Sequence, residues 1–158
     1  MAFETEGTEQ SETLRIADLL GGEATFKRSL TNALDAHEMI IRGFPGTALI
    51  KLVANVSLFQ RSDAFEKAIG ISQRTFQRRK AEANPRTLSS EQSGRAWKFA
   101  EILSRATTIF GSQEDAEQWL ETPAIGLNQR RPIDLLATPA GTKLVEQFLE
   151  RIEFGVYA

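Results

Sequence analysis

The 158-residue chain has no cysteine. That excludes disulfides, thiolate-held zinc and thiol nucleophiles, and it suits a reducing cytosol. Histidine occurs once, at His37, beside Glu38 and near Asp35. A lone imidazole without patterned carboxylates is poor material for a general base or a metal site. No stretch approaches the roughly 18 consecutive apolar residues of a membrane span. The first twelve residues, MAFETEGTEQSE, are acidic and polar, unlike a secretory leader. Neither a phosphate-cradling GxxxxGK loop nor a GxSxG nucleophile turn occurs, and no carboxylates have metal-ligand spacing. Nothing positive supports an enzyme, a cofactor or a metal.

What is present is a core. Hydrophobic residues make up 41% of the chain, with ten Phe and two Trp, enough for one domain or two small modules sharing a core. Trp97 and Trp119 have helical spacing with other apolar residues and are expected to be core. The net charge of −2 speaks against nucleic acid as a partner, but its distribution does not. Glu4, Glu6, Glu9 and Glu12 precede any Lys or Arg, whereas Arg74, Arg78, Arg79, Lys80 and Arg86 are opposed by Glu82 alone. A phosphate backbone responds to the local patch, not to the total.

Apolar residues recur at helical spacing almost throughout, and no segment alternates as a strand does. The sequence therefore predicts an all-α fold, without internal repeats. Residues 1–12 hold too few large apolar groups to offset ordering and are expected to form a disordered acidic tail. Helices are expected at 13–20 and 23–34, separated by Gly21-Gly22, and at 35–42, ending at Gly43 ahead of Pro45. Next come 47–57, with Leu49, Leu52, Val53 and Val56 on one face, then 62–69 and 73–83. Asn84-Pro85 closes this block and places a module boundary between residues 86 and 87, so that 13–86 form an N-terminal region and 87–158 a second module. Ser89 and Gln92 have capping-box spacing ahead of a long helix to Phe110. Its buried stripe runs Ala96, Phe99, Ala100, Leu103, Ala106 and Phe110. Gly111 ends it. Ser112 caps the next helix, with Glu114, Asp115 and Glu117 as helix-start charges. Trp119 and Leu120 face inward. A loop at 122–131 leads to a short helix from Pro132. Thr138-Pro139 opens the last helix, with Leu144, Val145, Phe148, Leu149 and Ile152 expected inward.

Residues 62–81, SDAFEKAIGISQRTFQRRKA, read as two short helices and a tight turn. Phe65 and Ile69 face inward from the first helix. Gly70 supplies the left-handed turn that glycine alone takes without steric cost. Ile71 plugs the turn, Ser72 caps the second helix and Phe76 packs it back. This is the helix-turn-helix layout. With Phe76 inward, Gln73, Arg74, Gln77, Arg78 and Lys80 point the other way. Arginine can grip guanine bidentately and glutamine adenine. Thr75, Arg79, Lys80 and Arg86 suit phosphates better. Ser72, Gln73, Arg74, Thr75, Gln77, Arg78, Arg79 and Lys80 are thus the candidate DNA-binding set. Two residues depart from such motifs. Glu66 stands where a small residue usually sits, and Arg79 where an apolar one usually packs. The competing reading of this segment is a solvated basic helix.

The chain closes on RIEFGVYA. Terminal segments are ordinarily polar and frayed. Phe154, Val156 and Tyr157 either dock on the protein's own core or meet a partner.

RAWKFAEILSRATTIFG, EDAEQWLETP, RRPIDLLATPAG and VEQFLERIEFGVYA resemble the C-terminal domain of the MbcA/ParS/Xre antitoxins, with Pro132, Leu135, Gly141, Val145, Leu149, Ile152 and Gly155 at the family's spacing. The preceding half, with GISQRTFQRR, is similar to the Xre-type helix-turn-helix, and the likeness spans about residues 35–158. It departs before Pro132, where the family's loop is glycine-rich and this one reads Asn128-Gln129-Arg130-Arg131. The resemblance implies a cytoplasmic antitoxin that binds a RES-domain, NAD-consuming toxin and obstructs its active-site entrance. It also implies a homodimer that binds promoter DNA and represses its own operon. The implied toxin-facing residues are Arg130, Arg131, Arg151, Glu153, Phe154, Val156, Tyr157 and Ala158. The alternative is a helix-turn-helix transcriptional regulator whose second module serves only dimerisation or sensing.

Overall fold

Capping side chains and left-handed residues set most helix ends. The computed structural model describes the backbone over residues 2–155 and side chains over residues 5–155. Along the chain run α1 (Ala2–Leu19), α2 (Gly22–Phe26), α3 (Ala33–Arg42), α4 (Gly46–Asn55), α5 (Leu58–Arg61) and α6 (Ala64–Ile69). There follow α7 (Gln73–Lys80), α8 (Ser90–Phe110), α9 (Gln113–Glu121), a 3-10 turn (Ile125–Leu127), α10 (Pro132–Leu135) and α11 (Pro139–Glu153). Among the described residues there is no strand, only an isolated bridge between Ala124 and Arg130. The fold is all-α, a helix-turn-helix unit followed by a helical unit.

Two expectations at the N-terminus are corrected. Described residues of the supposed disordered tail form the first turns of α1. Its second half docks through Ile16, Ala17 and Leu20, while residues 5–12 stay exposed. A docked half supplies the costly nucleus, and outward propagation then fixes one residue per hydrogen bond. The expected helix at 23–34 stops at Phe26, because Lys27 turns left-handed (φ 63°) and returns its N–H to the Glu23 carbonyl at 2.8 Å. The residues after it serve α3 instead. Asn32 Oδ1 accepts the Asp35 N–H, while Asp35 Oδ2 accepts the Thr31 N–H and hydroxyl. Such local bonds compete with helix continuation. The Thr31 N–H, above all, holds the Asp35 carboxyl below its ordinary range.

The long helix α8 is the axis of packing. Its capping box forms as expected, with Ser89 Oγ accepting the Gln92 N–H and Gln92 Oε1 the Ser89 N–H, each at 3.1 Å. Ala96, Phe99, Ala100, Leu103 and Ala106 are buried, joined by Trp97 and Ile102. Phe110 and Trp119 are half-buried, their ring centroids 5.4 Å apart. Helices α1, α3, α4, α6, α9 and α11 all pack on α8. One hydrophobic cluster runs from Ile16 to Leu149, so the 86/87 boundary divides no core. The two sides of that boundary are stitched closely. Leu88 N–H donates to the Phe44 carbonyl at 2.9 Å, and Phe44 N–H to Ser93 Oγ at 2.8 Å. A Cβ on Gly46 would lie 2.4 Å from the Arg86 carbonyl. On α11, Val145, Phe148 and Leu149 are buried as expected, but Leu144 is 50% exposed. Val53 on α4 is also only half-buried.

Candidate DNA-facing and toxin-facing surfaces

Helices α6 and α7 meet as a helix-turn-helix does. Gly70 is left-handed (φ 78°) and closes α6 by giving its N–H to the Glu66 carbonyl at 2.9 Å. Phe65 and Phe76 pack with ring centroids 5.0 Å apart, and Ile71 is buried beneath the turn. Arg95 of α8 locks this corner. Its Nε donates to the Ala68 carbonyl at 3.0 Å and its Nη2 to the Lys67 carbonyl at 2.8 Å. A cation there satisfies orphan carbonyls at the negative end of the helix.

The start of α7 is capped twice. Ser72 Oγ accepts the Thr75 N–H at 3.1 Å and donates to Thr75 Oγ1 at 2.9 Å. Glu66 Oε1 accepts the Gln73 N–H at 2.8 Å. The unusual Glu66 thus ties α7 onto α6 and adds a negative charge where the helix dipole is positive. Arg74, Gln77, Arg78 and Lys80 are exposed. Ser72 is exposed too, although its hydroxyl already serves the cap, and Thr75 is half-buried.

Two members of the sequence-derived set are turned inward. Gln73 is half-buried, and its Nε2 donates to the Phe59 carbonyl at 3.4 Å. Arg79 lines a crevice with Leu49, Ile50, Pro85 and Leu88, where its Nε and Nη1 are buried without partners. Its carbon stem takes the apolar position that the motif usually fills with an apolar residue. Arg79→Met keeps the stem and removes the stranded donors. It should raise stability by about 1 kcal/mol in denaturant unfolding and leave operator affinity within about twofold. A loss of affinity like that of Arg78→Ala would return Arg79 to the DNA face.

The expected toxin-facing residues divide similarly. Arg131 is built into the fold. It forks onto Asp134 through Nε (2.9 Å) and Nη2 (2.8 Å), and Nη2 also reaches Asp63 Oδ1 at 3.3 Å. These bonds hold the guanidinium charged, and the Arg131 bonds in turn keep the Asp134 carboxyl below its usual range. With Lys67 3.9 Å from Asp134, the group joins α10 to α6. Glu153 is paired with Arg105 of α8 at 2.9 Å, anchoring the end of α11. Arg130 is exposed on the loop and adds to the positive charge felt by Asp134, and Arg151 lies over the Phe148 ring at 5.8 Å. Phe154 is 68% exposed. Val156, Tyr157 and Ala158 lie outside the described residues.

Two apolar residues join this surface that sequence reasoning missed. Ile125 is 83% exposed on the 3-10 turn, whose Gly126 sits so close to Phe148 that a Cβ would fall 2.4 Å from the ring. Leu144 is the other. Residues 144, 147 and 151 fall three or four apart on one face of α11, and Phe154, the helix C-cap, continues that spacing. The neighbouring loop is strained, since Asn128 (φ 55°) and Gln129 (φ 61°) are both left-handed. They hold glycine-like backbone where the resembling family's loop is glycine-rich. Gln129→Gly should therefore stabilise the fold by roughly 0.5–1 kcal/mol in thermal unfolding. An unchanged or lowered melting temperature would contradict that strain.

One acidic residue serves structure. Glu117, expected as a helix-start charge, is buried and accepts the Leu58 N–H at 2.5 Å and the Gln113 amide at 3.0 Å. It caps α5 from α9. Among the described residues no group of His, Asp and Glu could hold a metal, and no helix is long and apolar enough to cross a membrane.

Residues 35–101 match the antitoxin Xre-like helix-turn-helix domain, and residues 105–155 match the antitoxin Xre/MbcA/ParS C-terminal toxin-binding domain. The two matches meet inside α8, not at Pro85. An Antitoxin Xre of Pseudomonas putida is 30% identical over 126 residues, covering 80% of this chain and 76% of that protein. One from Yersinia enterocolitica is 33% identical over 93 residues, 58% of this chain and 62% of that protein. A third, from Photorhabdus laumondii, is 31% identical over 115 residues, 72% of this chain and 75% of that protein. The chain belongs to the Xre antitoxin family: it is an antitoxin of a toxin–antitoxin system that works by binding and not by catalysis, its helix-turn-helix followed by a toxin-binding domain.

Proposed function

We propose that this antitoxin neutralises a RES-type, NAD-consuming toxin by covering its active-site entrance, and that it represses its own operon as a cytosolic homodimer. The observation that carries the reading is the apolar stripe of Leu144 on α11 and Phe154 at its C-terminal cap, within the segment matched to the toxin-binding domain. Ile125 extends the apolar area, and Gln147, Arg130 and Arg151 supply polar groups around it. Exposed apolar area with a polar rim is what a protein-binding hot spot offers before its partner arrives. Occlusion asks no chemistry of the antitoxin. The toxin class comes from the family likeness. For repression, Arg74, Gln77, Arg78 and Lys80 form the exposed face of α7, and a symmetric pair of such helices would read two half-sites.

Co-expression with the adjoining reading frame tests this. That neighbour alone should arrest growth and deplete cellular NAD, and the antitoxin should restore both. A harmless neighbour, or arrest with NAD undisturbed, would overturn the toxin assignment.

A further inference from the structure

Helix α3 carries an apolar stripe that no described part of the chain covers. Leu34 and Ile41 are each 64% exposed. Seven residues apart, they lie within roughly 20° of each other around the helix, with His37 and Glu38 about 50° to either side. Both flanking residues are exposed. The opposite face is the one used internally, with Ala36 and Met39 buried and α3 packed on α8. Arg28 is held by Asp35 at 3.0 Å and stands 4.0 Å from Glu38, and Arg42 is exposed at the helix end.

We infer that this face of α3 pairs with α3 of a second copy, the two helices running in the same direction. The inference rests on the homodimer reading above and supplies its surface. Residues seven apart fill one of the two positions along which helices pair, and here His37 and Glu38 stand at the other. In a parallel pair Leu34 meets Leu34, Ile41 meets Ile41, and His37 of each copy lies beside Glu38 of the other. Each edge then sets the imidazole of one copy, a hydrogen-bond donor, against the carboxylate of the other, an acceptor. In an antiparallel pair His37 would face His37 and Glu38 would face Glu38, like against like. A self-complementary patch is what a two-fold interface requires. The toxin is the weaker occupant, because the segment matched to toxin binding begins at residue 105 and has its own apolar stripe. A ten-residue helix is only about 15 Å long. It falls short of the ~800 Å² per partner of a stable interface, so the free dimer is weak and concentration-dependent. Operator DNA tightens it by holding two copies side by side.

The test is sedimentation velocity of the full chain, free and on operator DNA. Wild type should show a concentration-dependent dimer. Leu34→Asp combined with Ile41→Asp should raise the dimer dissociation constant at least about tenfold, with a melting temperature shifted little because both side chains are exposed. A monomer at all concentrations, on DNA as well as off it, would overturn the homodimer reading itself. A dimer that survives both substitutions would leave that reading standing and overturn the α3 surface. The absence of native cysteine makes orientation testable as well. Leu34→Cys should oxidise to a covalent dimer, and Leu144→Cys should not. Cross-linking of Leu34→Cys only with Ile41→Cys would overturn the parallel arrangement.

Discussion

Replacing Arg74 and Arg78 together with alanine is expected to weaken operator binding at least about 30-fold. Each arginine that reads a base accounts for about 1–3 kcal/mol. Both side chains are exposed on α7, four residues apart, so they rise from one face. That face is presented rigidly. The Ser72 and Glu66 caps fix the start of the helix, Phe76 seats it, and Arg95 holds the preceding helix end. Neither arginine contributes to the core, so folding should be unaffected. The measurement is fluorescence anisotropy on operator and scrambled duplexes at one salt concentration, since phosphate contacts depend steeply on salt. A larger loss on the operator identifies base readers. Equal losses on both duplexes would make the two arginines phosphate contacts.

The second large effect is expected at the other end of the chain. Leu144→Asp together with Phe154→Asp should reduce toxin affinity at least about 100-fold, because central apolar anchors commonly carry 2 kcal/mol or more each. A carboxylate buried against the partner adds a desolvation cost. The antitoxin itself should tolerate both changes. Leu144 is half exposed, and Phe154 follows the last turn of α11, where its N–H donates to the Glu150 carbonyl at 3.1 Å and its ring faces solvent. Glu153, by contrast, is a poor site to probe toxin contact, since its loss also frees Arg105 on α8. Operator affinity should be unchanged in the double variant. Undiminished toxin binding would show that the stripe is not the interface.

Much of the local architecture is legible in the sequence because its causes are local. Ser72, Ser89 with Gln92, Ser112 and Thr138 each cap the helix that their spacing announces. Gly70 and Gly111 end helices in the left-handed conformation. The helix-turn-helix followed from one glycine and a few apolar positions around it. What stayed hidden depends on distant partners. Glu66, Arg95, Glu117 and Arg131 look like surface charges when read along the chain. Each is engaged with a different element, and Glu117 reaches back 59 residues to Leu58. Arg79 is hard to read for a related reason: its charge suggests phosphate, while its Nε and Nη1 lie buried in an apolar crevice. Leu144 shows the limit of periodicity. A buried stripe has a limited arc, and the one set by Val145, Phe148, Leu149 and Ile152 is centred roughly 90° from Leu144. The left-handed pair Asn128-Gln129 carries no glycine to announce it.

In the proposed function, one small helical core presents two independent binding faces, α7 for DNA and the α11 stripe for the toxin. The decisive measurement is of both affinities for both double variants, with purified toxin and operator DNA. The expected outcome is reciprocal: the Arg74/Arg78 variant loses DNA and keeps the toxin, and the Leu144/Phe154 variant loses the toxin and keeps DNA. Loss of both ligands in either variant, or of neither, would contradict it.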